Sequence, residues 1–302
     1  MKKIAVLICC TFINISPVWA CSYVPPSYEY KFQNNQIYYL NNHKGNPLLI
    51  EGADKTTFQC WGGAFHSILP DDTRKNWSCL TSYTLDANHV YYEGKKLQGL
   101  DPTKAKLLKN AHSYGATIEG LSNPASTTDG YAKDDKLVYY QDQLLTEANG
   151  AQFVRLPLYL TQRNGSHYAK DEKQIYFYGE KIAGNPKTAI ELYDGYYLDD
   201  QHIYFRGEVL KGALPDQFEQ RSGLIISNGH VFYRNERLPL DGHSFQELDA
   251  RFFVDCASDN TTIIILKDKN GTYKLEYSGE ILHTSYKFKT LEDPTKYSTQ
   301  PD

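Results

Sequence analysis

Short apolar and aromatic runs alternate with polar turns along this chain, and the alternation repeats. Asp86-Ala87-Asn88-His89-Val90-Tyr91-Tyr92 leads to Gly94 and then Leu97. The same order recurs around Val138-Tyr139-Tyr140, Ile175-Tyr176-Phe177, Ile203-Tyr204-Phe205 and Val231-Phe232-Tyr233, preceded by Asp134, Asp171, Asp199 and Asn228. A weaker copy centres on Ile37-Tyr38-Tyr39, and a degenerate one runs from Asp268 to Leu282. The Val or Ile positions fall at 37, 90, 138, 175, 203 and 231, in steps of 53, 48, 37, 28 and 28. Such a recurrence marks a repeat architecture. The last two steps set the compact unit, and the earlier copies carry insertions.

Each copy predicts a β-hairpin. The β-branched and aromatic core favours a strand. The turn that follows holds Gly or Asn, which tolerate positive φ, and the next Leu or Ile returns as the partner strand. The leading Asp suits a turn, because its carboxylate can accept hydrogen bonds from nearby backbone N–H groups. A second half links the copies. Pro102 to Leu108, Pro186 to Leu192 and Pro215 to Phe218 run from Pro to an apolar residue, and Phe153 to Leu156 and Phe245 to Leu248 keep only the aromatic-to-Leu part. This half predicts a third short strand. One hairpin cannot bury its apolar face alone, whereas stacked copies can. The expected fold is all-β: tandem β-hairpin repeats stacked in an elongated or curved array. The runner-up is a β-propeller-like ring, set second because the compact unit is short for a four-stranded blade.

The Asp-x-x-x-Val/Ile-Tyr-Tyr/Phe-x-Gly repeat resembles the DKNYY family of exported bacterial proteins over roughly residues 30–250. Only Asp268-Lys269-Asn270 spells the start of the family's motif, and that copy lacks the Tyr-Tyr pair. The resemblance implies repetition and export, and brings no catalytic residue with it.

The N-terminus supports export. Lys2 and Lys3 precede an apolar run from Ile4 to Ile15, and Val18 and Ala20 stand at the −3 and −1 positions of a cleavage site. This is the pattern of a secretory signal peptide over 1–20. No later stretch is apolar long enough to form a transmembrane helix. The divisions that follow are 21–84, a repeat-like module with a disulfide loop; 85–250, the repeat array; and 251–302, a degenerate repeat with a polar tail from 283. The expected location is periplasmic. The alternative is a lipoprotein anchored through Cys21, against which stand the bulky Trp19 and the cysteine parity. Cys9 and Cys10 leave with the leader, so Cys21, Cys60, Cys79 and Cys256 remain. An even number in an exported chain reads as two disulfides with three possible connectivities. The favoured pairing is Cys60–Cys79, closing a local loop, with Cys21–Cys256.

Charge and chemistry narrow the function. Loss of Lys2 and Lys3 takes the formal charge from −4 to about −6. An acidic balance without a basic stripe in the sequence argues against nucleic acid or an anionic membrane as partner. Cys60 with His66 has the residue types of a thiol nucleophile, but an even cysteine count favours a structural disulfide. His89, His202 and His230 recur once per copy, too far apart to share an ion, and read as strand-entry residues. Asp268-Lys269-Asn270-Gly271 lacks the further acids of a Ca²⁺ loop and reads as a tight turn. No metal, cofactor or catalytic set is expected. Adjacent strand residues face opposite sides, so one member of each aromatic pair is expected on the surface. The candidate binding residues are therefore Tyr91, Tyr92, Tyr139, Tyr140, Tyr176, Phe177, Tyr204, Phe205, Phe232 and Tyr233, forming a platform for an unknown protein or glycan. The competing use of the same residues is a cross-strand ladder that only stabilises the sheet. The function expected is a non-enzymatic binding or interaction repeat protein. The alternatives are a hydrolase of cell wall or glycan, and a structural or self-protection protein with one dedicated protein partner.

Overall fold

A computed structural model describes residues 28–40, 46–61, 76–79, 81–109, 130–159, 168–253, 261–278 and 285–292. These residues contain no helix. The leader, Cys21, Cys256, His66 and most of the 115–130 loop lie outside them.

The described strands form seven four-stranded antiparallel sheets, numbered 1 to 7 along the chain, and none closes into a barrel. Sheet 5 is the compact example. Its strands are Ile190–Glu191, Tyr196–Leu198, Ile203–Phe205 and Glu208–Val209, in that spatial order. The predicted hairpin supplies the third and fourth strands, and the aromatic-to-Leu segment supplies the first. The second strand, the three residues just before the motif Asp, is one more than the sequence pattern suggested. Four strands fit in the compact unit because each is only two or three residues long. The third-to-fourth-strand turns pair two residues at positive φ, as at Tyr178-Gly179 and Arg206-Gly207. That is the type I′ geometry, whose twist matches the flanking strands.

Every interior sheet is covered on both faces. The middle residue of each Val/Ile-aromatic-aromatic triplet packs back on the preceding sheet, and the outer two pack forward on the next. Tyr176 joins Tyr131, Val138 and Phe153 of the layer behind, while Ile175 and Phe177 join Tyr197 and Tyr204 ahead. Ile203 and Phe205 in turn meet Ile225 and Phe232. The expected row of exposed aromatics is therefore overturned. Tyr91, Tyr92, Tyr139, Tyr176, Phe177, Tyr204, Phe205, Phe232 and Tyr233 are buried, and Tyr140 is partly buried. Strand alternation holds, but both of its directions lead into a layer between sheets. These rings form edge-on and tilted pairs such as Tyr83–Tyr92 at 4.9 Å and Tyr196–Phe205 at 5.1 Å. At such spacings aromatic contact adds to burial.

Polar bonds fix the stacking. One carboxylate oxygen of the motif Asp does what the sequence suggests and accepts from its own turn. Asp199 Oδ1 takes the N–H groups of Gln201 and His202, both at 2.8 Å. The other oxygen, Oδ2, accepts from Asn185 N of the preceding unit at 2.8 Å and from the Tyr204 hydroxyl of its own sheet at 2.9 Å. Asp86, Asp134, Asp171 and Asp268 make the same outward bond to the N–H of Asp54, Asp101, Asn149 and Asp241. Ser227 takes the place of this Asp in sheet 6 and accepts from Leu214 N. A second link starts from the first Tyr of the second strand. Tyr83, fully buried, donates to Gly130 O at 2.7 Å and accepts from Gln141 N at 2.9 Å. Tyr168 bridges Gly195 O and Arg206 N, Tyr196 bridges Gly223 O and Arg234 N, and Tyr131 accepts from Gly179 N. Burial raises the pKa of Tyr131, Tyr168 and Tyr196, so each hydroxyl stays neutral in its layer.

Two further expectations change. Cys60–Cys79 is present, but it does more than close a loop. Gln59–Cys60 is the first strand of sheet 2, and Asn76–Cys79 is an edge strand of sheet 1. The bond thus staples consecutive sheets. The supposed polar tail contributes Ser285–Thr290, the edge strand of sheet 7.

Candidate functional site

The first strands of consecutive sheets line up as a rim, and it is here that the regular stacking opens into a cavity. Pro157 follows the short strand Val154–Arg155 and keeps the chain extended. Leu158 then bridges Glu191 in parallel, Glu191 N donates to Pro157 O at 2.8 Å, and Tyr159 N donates to Glu191 O at 2.8 Å. Sheet 4 is thereby stitched to the first strand of sheet 5. On the other side the Gln220 carboxamide closes the gap to sheet 6, accepting from Tyr193 N at 3.1 Å and donating to Tyr193 O at 2.9 Å. Between these two seams lies a cavity of about 130 Å³ lined by Leu158, Tyr159, Glu191, Leu192, Tyr193, Phe218 and Gln220.

Its walls are aromatic and its polar groups few. Tyr159 is 55% exposed, and its ring lies 5.8 Å from that of Phe218. Glu191 is buried. The Tyr193 hydroxyl is buried and has no hydrogen-bond partner among the described residues. A buried hydroxyl left in that state costs free energy unless a water or ligand completes it. Behind the cavity the Arg155 guanidinium donates to Leu108 O of sheet 3. Burial lowers the Arg155 pKa to about 10, while Tyr131 and Glu191 favour its charged form. Glu191 in turn adds to the burial that raises the pKa of Tyr168.

Ligand pockets for whole small molecules span roughly 300–1,000 Å³, so this cavity has room for one ring-sized group. The Tyr159 and Phe218 rings offer a flat apolar contact. Glu191, Tyr193 and Gln220 offer polar atoms at its edge. A group with one apolar face and a hydroxylated rim matches that combination.

None of the ten motif aromatics lines this cavity. The Cys60 thiol is consumed in its disulfide, which removes the nucleophile reading. His89 Nδ1 and His202 Nδ1 lie 3.3 and 3.4 Å from the hydroxyls of Tyr91 and Tyr204, beside the Asp clamps of their own sheets. Asp268 accepts from Asn270 N and Gly271 N in a tight turn. Leu192 and Phe218, the ends of two Pro-led segments, are the cavity residues the pattern marked; Leu158, Tyr159, Glu191, Tyr193 and Gln220 hold no recurring position and escaped it.

Fold and contacts define a tandem-repeat protein of small four-stranded sheets, coupled from unit to unit by a buried Asp and a buried Tyr. The DKNYY family model matches residues 30–194 and 117–237, and the chain belongs to the DKNYY family. No curated protein and no solved structure matches it.

Proposed function

We propose that this chain is an exported, non-enzymatic binding protein whose rim cavity receives one sugar ring of a glycan. The observation that carries the reading is the buried Tyr193 hydroxyl, without a hydrogen-bond partner among the described residues, in one cavity with the Tyr159–Phe218 pair. The apolar face of a sugar would lie on these rings, and its hydroxyls would reach Tyr193 Oη and the Glu191 carboxylate. Export is supported by the leader pattern of residues 1–20. The disulfide between Cys60 and Cys79, a bond of oxidising compartments, supports it too.

Saturation-transfer NMR of the mature chain with N-acetylglucosamine oligomers tests this. Saturable binding is expected. Tyr159→Ala and Phe218→Ala should each weaken it by about 2- to 12-fold, the equivalent of one aromatic contact of roughly 0.5–1.5 kcal/mol. Binding that ignores both substitutions would refute the site. Hydrolysis of the oligomers by the purified chain would refute the non-enzymatic reading. Intact mass of the periplasmic protein, expected to begin at Cys21 without a lipid, checks export.

A further inference from the structure

The last sheet ends the described array, so among the described residues only one of its faces meets another sheet. Its strands are Gln246–Phe253, Thr261–Asp268, Gly271–Ser278 and Ser285–Thr290. Ile264, Leu266, Tyr273 and Leu275 pack on Leu224, Val231 and Leu238 of sheet 6. Side chains alternate along a strand, so the intervening residues share the opposite face. Register places Arg251 beside Ile263, Lys274 between Ile265 and Lys289, and Glu276 beside Lys287. Lys267 continues the same face beyond Ile265.

That face is basic. Arg251, Lys267, Lys274, Lys287 and Lys289 stand against Asp249 and Glu276, five cations to two carboxylates. The chain as a whole carries a net −4. The two acids are already engaged, Asp249 with Arg251 at 2.6 Å and Glu276 with Lys274 at 2.7 Å. Lys274, and with it Lys287 and Lys289, hold the Glu276 carboxyl below its usual range, as expected if all three share its face. Arg251, Lys267, Lys287 and Lys289 are exposed. Four of the five cations are lysines, which act as compact point charges and impose no bidentate geometry.

We infer that the outward face of the last sheet docks the chain on an anionic lipid surface. Four strands about 4.8 Å apart make a broad patch roughly 14 Å across. Its cations stand on long stems on the face they share with Ile263 and Ile265. A layer of anionic headgroups is complementary to it in charge. The cations come from four strands spread over residues 251–289, so folding, and not any sequence run, assembles the patch.

Co-sedimentation of the full mature chain with vesicles decides the matter. Phosphatidylcholine–phosphatidylglycerol vesicles should bind it, and pure phosphatidylcholine vesicles should not. The Lys287→Gln/Lys289→Gln double variant should bind roughly 25-fold more weakly, about fivefold per lysine. A control variant, Lys95→Gln/Lys181→Gln, replaces lysines paired with Asp142 and Glu147 on other sheets and should bind as the parent does. Binding should fade as salt shortens the Debye length from about 10 Å at 0.1 M to about 3 Å at 1 M. Absence of binding to the anionic vesicles would overturn the inference. So would an equal loss in the control variant, or binding to heparin without binding to vesicles.

Discussion

Removing the Asp199 carboxylate is the sharpest test of how the units are held together. Asp199→Ala strands four donors: Asn185 N, Gln201 N, His202 N and the Tyr204 hydroxyl. Gln201 and His202 are exposed, so water can reach their turn. The Tyr204 hydroxyl is buried and Asn185 N partly so. A buried donor without a partner costs about 1–3 kcal/mol, so the substitution should destabilise by about 2–5 kcal/mol. Guanidinium denaturation of parent and variant measures this, and hydrogen exchange at Asn185 N–H reads the contact between units directly. The loss should depend on pH. Burial pushes the Asp199 carboxyl up, but the four donated hydrogen bonds outweigh it and hold the pKa below the ordinary value. A carboxylate depressed in the folded state contributes stability that is present above its unfolded pKa, about 3.9, and is lost as pH falls through the folded value. The difference between parent and variant should therefore be full at pH 7 and shrink only below about pH 4. A loss under about 1 kcal/mol, with unchanged exchange at Asn185, would refute the clamp.

Four further outcomes are expected. Tyr168→Phe removes the hydroxyl that joins Gly195 O and Arg206 N. By denaturant titration it should cost about 1–3 kcal/mol. A Cβ added at Gly179, where φ is +83, would lie 2.8 Å from Tyr140 Cβ, so Gly179→Ala should be severely destabilising or abolish soluble expression. At Gly212, where φ is +90, the nearest atom would be 3.7 Å away. Gly212→Ala should therefore cost only the backbone strain, about 1–2 kcal/mol in the same titration. Burial raises Tyr176 and Tyr233 to about 12. Absorbance at alkaline pH should show these rings ionising only as the protein unfolds, with their stability present below about pH 10 and lost as pH rises through the folded values.

The sequence announced what is local. Val90-Tyr91-Tyr92 and its copies are strands, Tyr178-Gly179 and Arg206-Gly207 are turns at positive φ, and Cys60 pairs with Cys79. What it hid is relational. The second strand of each unit, such as Tyr196–Leu198, is three residues long and merges with the motif Asp, too short to show its own period. Asp199 Oδ1 obeys a local turn rule, whereas Oδ2 bonds an N–H fourteen residues back, which no local rule predicts. The surface assigned to one aromatic of each pair vanished because a sheet covered on both faces uses alternation to fill two layers. In Tyr286-Lys287-Phe288-Lys289 the period-two signal was present within what read as a polar tail, and only its few residues concealed it. The polar rim of the cavity had no repeated signature, since Tyr159, Glu191, Tyr193 and Gln220 hold no recurring position.

The abundance of tyrosine follows from the same two-sided burial. A short sheet packed on both faces needs large apolar bodies, and Phe or Leu would supply them. Such a sheet also leaves turn amides and carbonyls of the next unit facing the layer, and these need partners. Tyr fills both requirements, with its ring in the layer and its hydroxyl on the neighbour's backbone. The bond runs one way, from the second strand of one sheet to the turns of the next. Tyr83, Tyr131, Tyr168 and Tyr196 carry it from sheet 2 to sheet 6. At the corresponding position of sheet 6, opposite Tyr233, stands Leu224. There the relay stops, and sheet 7 is attached by the Asp268 clamp and by a wholly different contact, eight-residue strands whose Ile264, Leu266 and Leu275 pack on Leu224. The unit that ends the array thus replaces the Tyr-to-turn bond with apolar area on its inner face, the Tyr286 hydroxyl donating instead to the Glu236 side chain, and its outer face, which meets no other sheet among the described residues, is where lysines are tolerated.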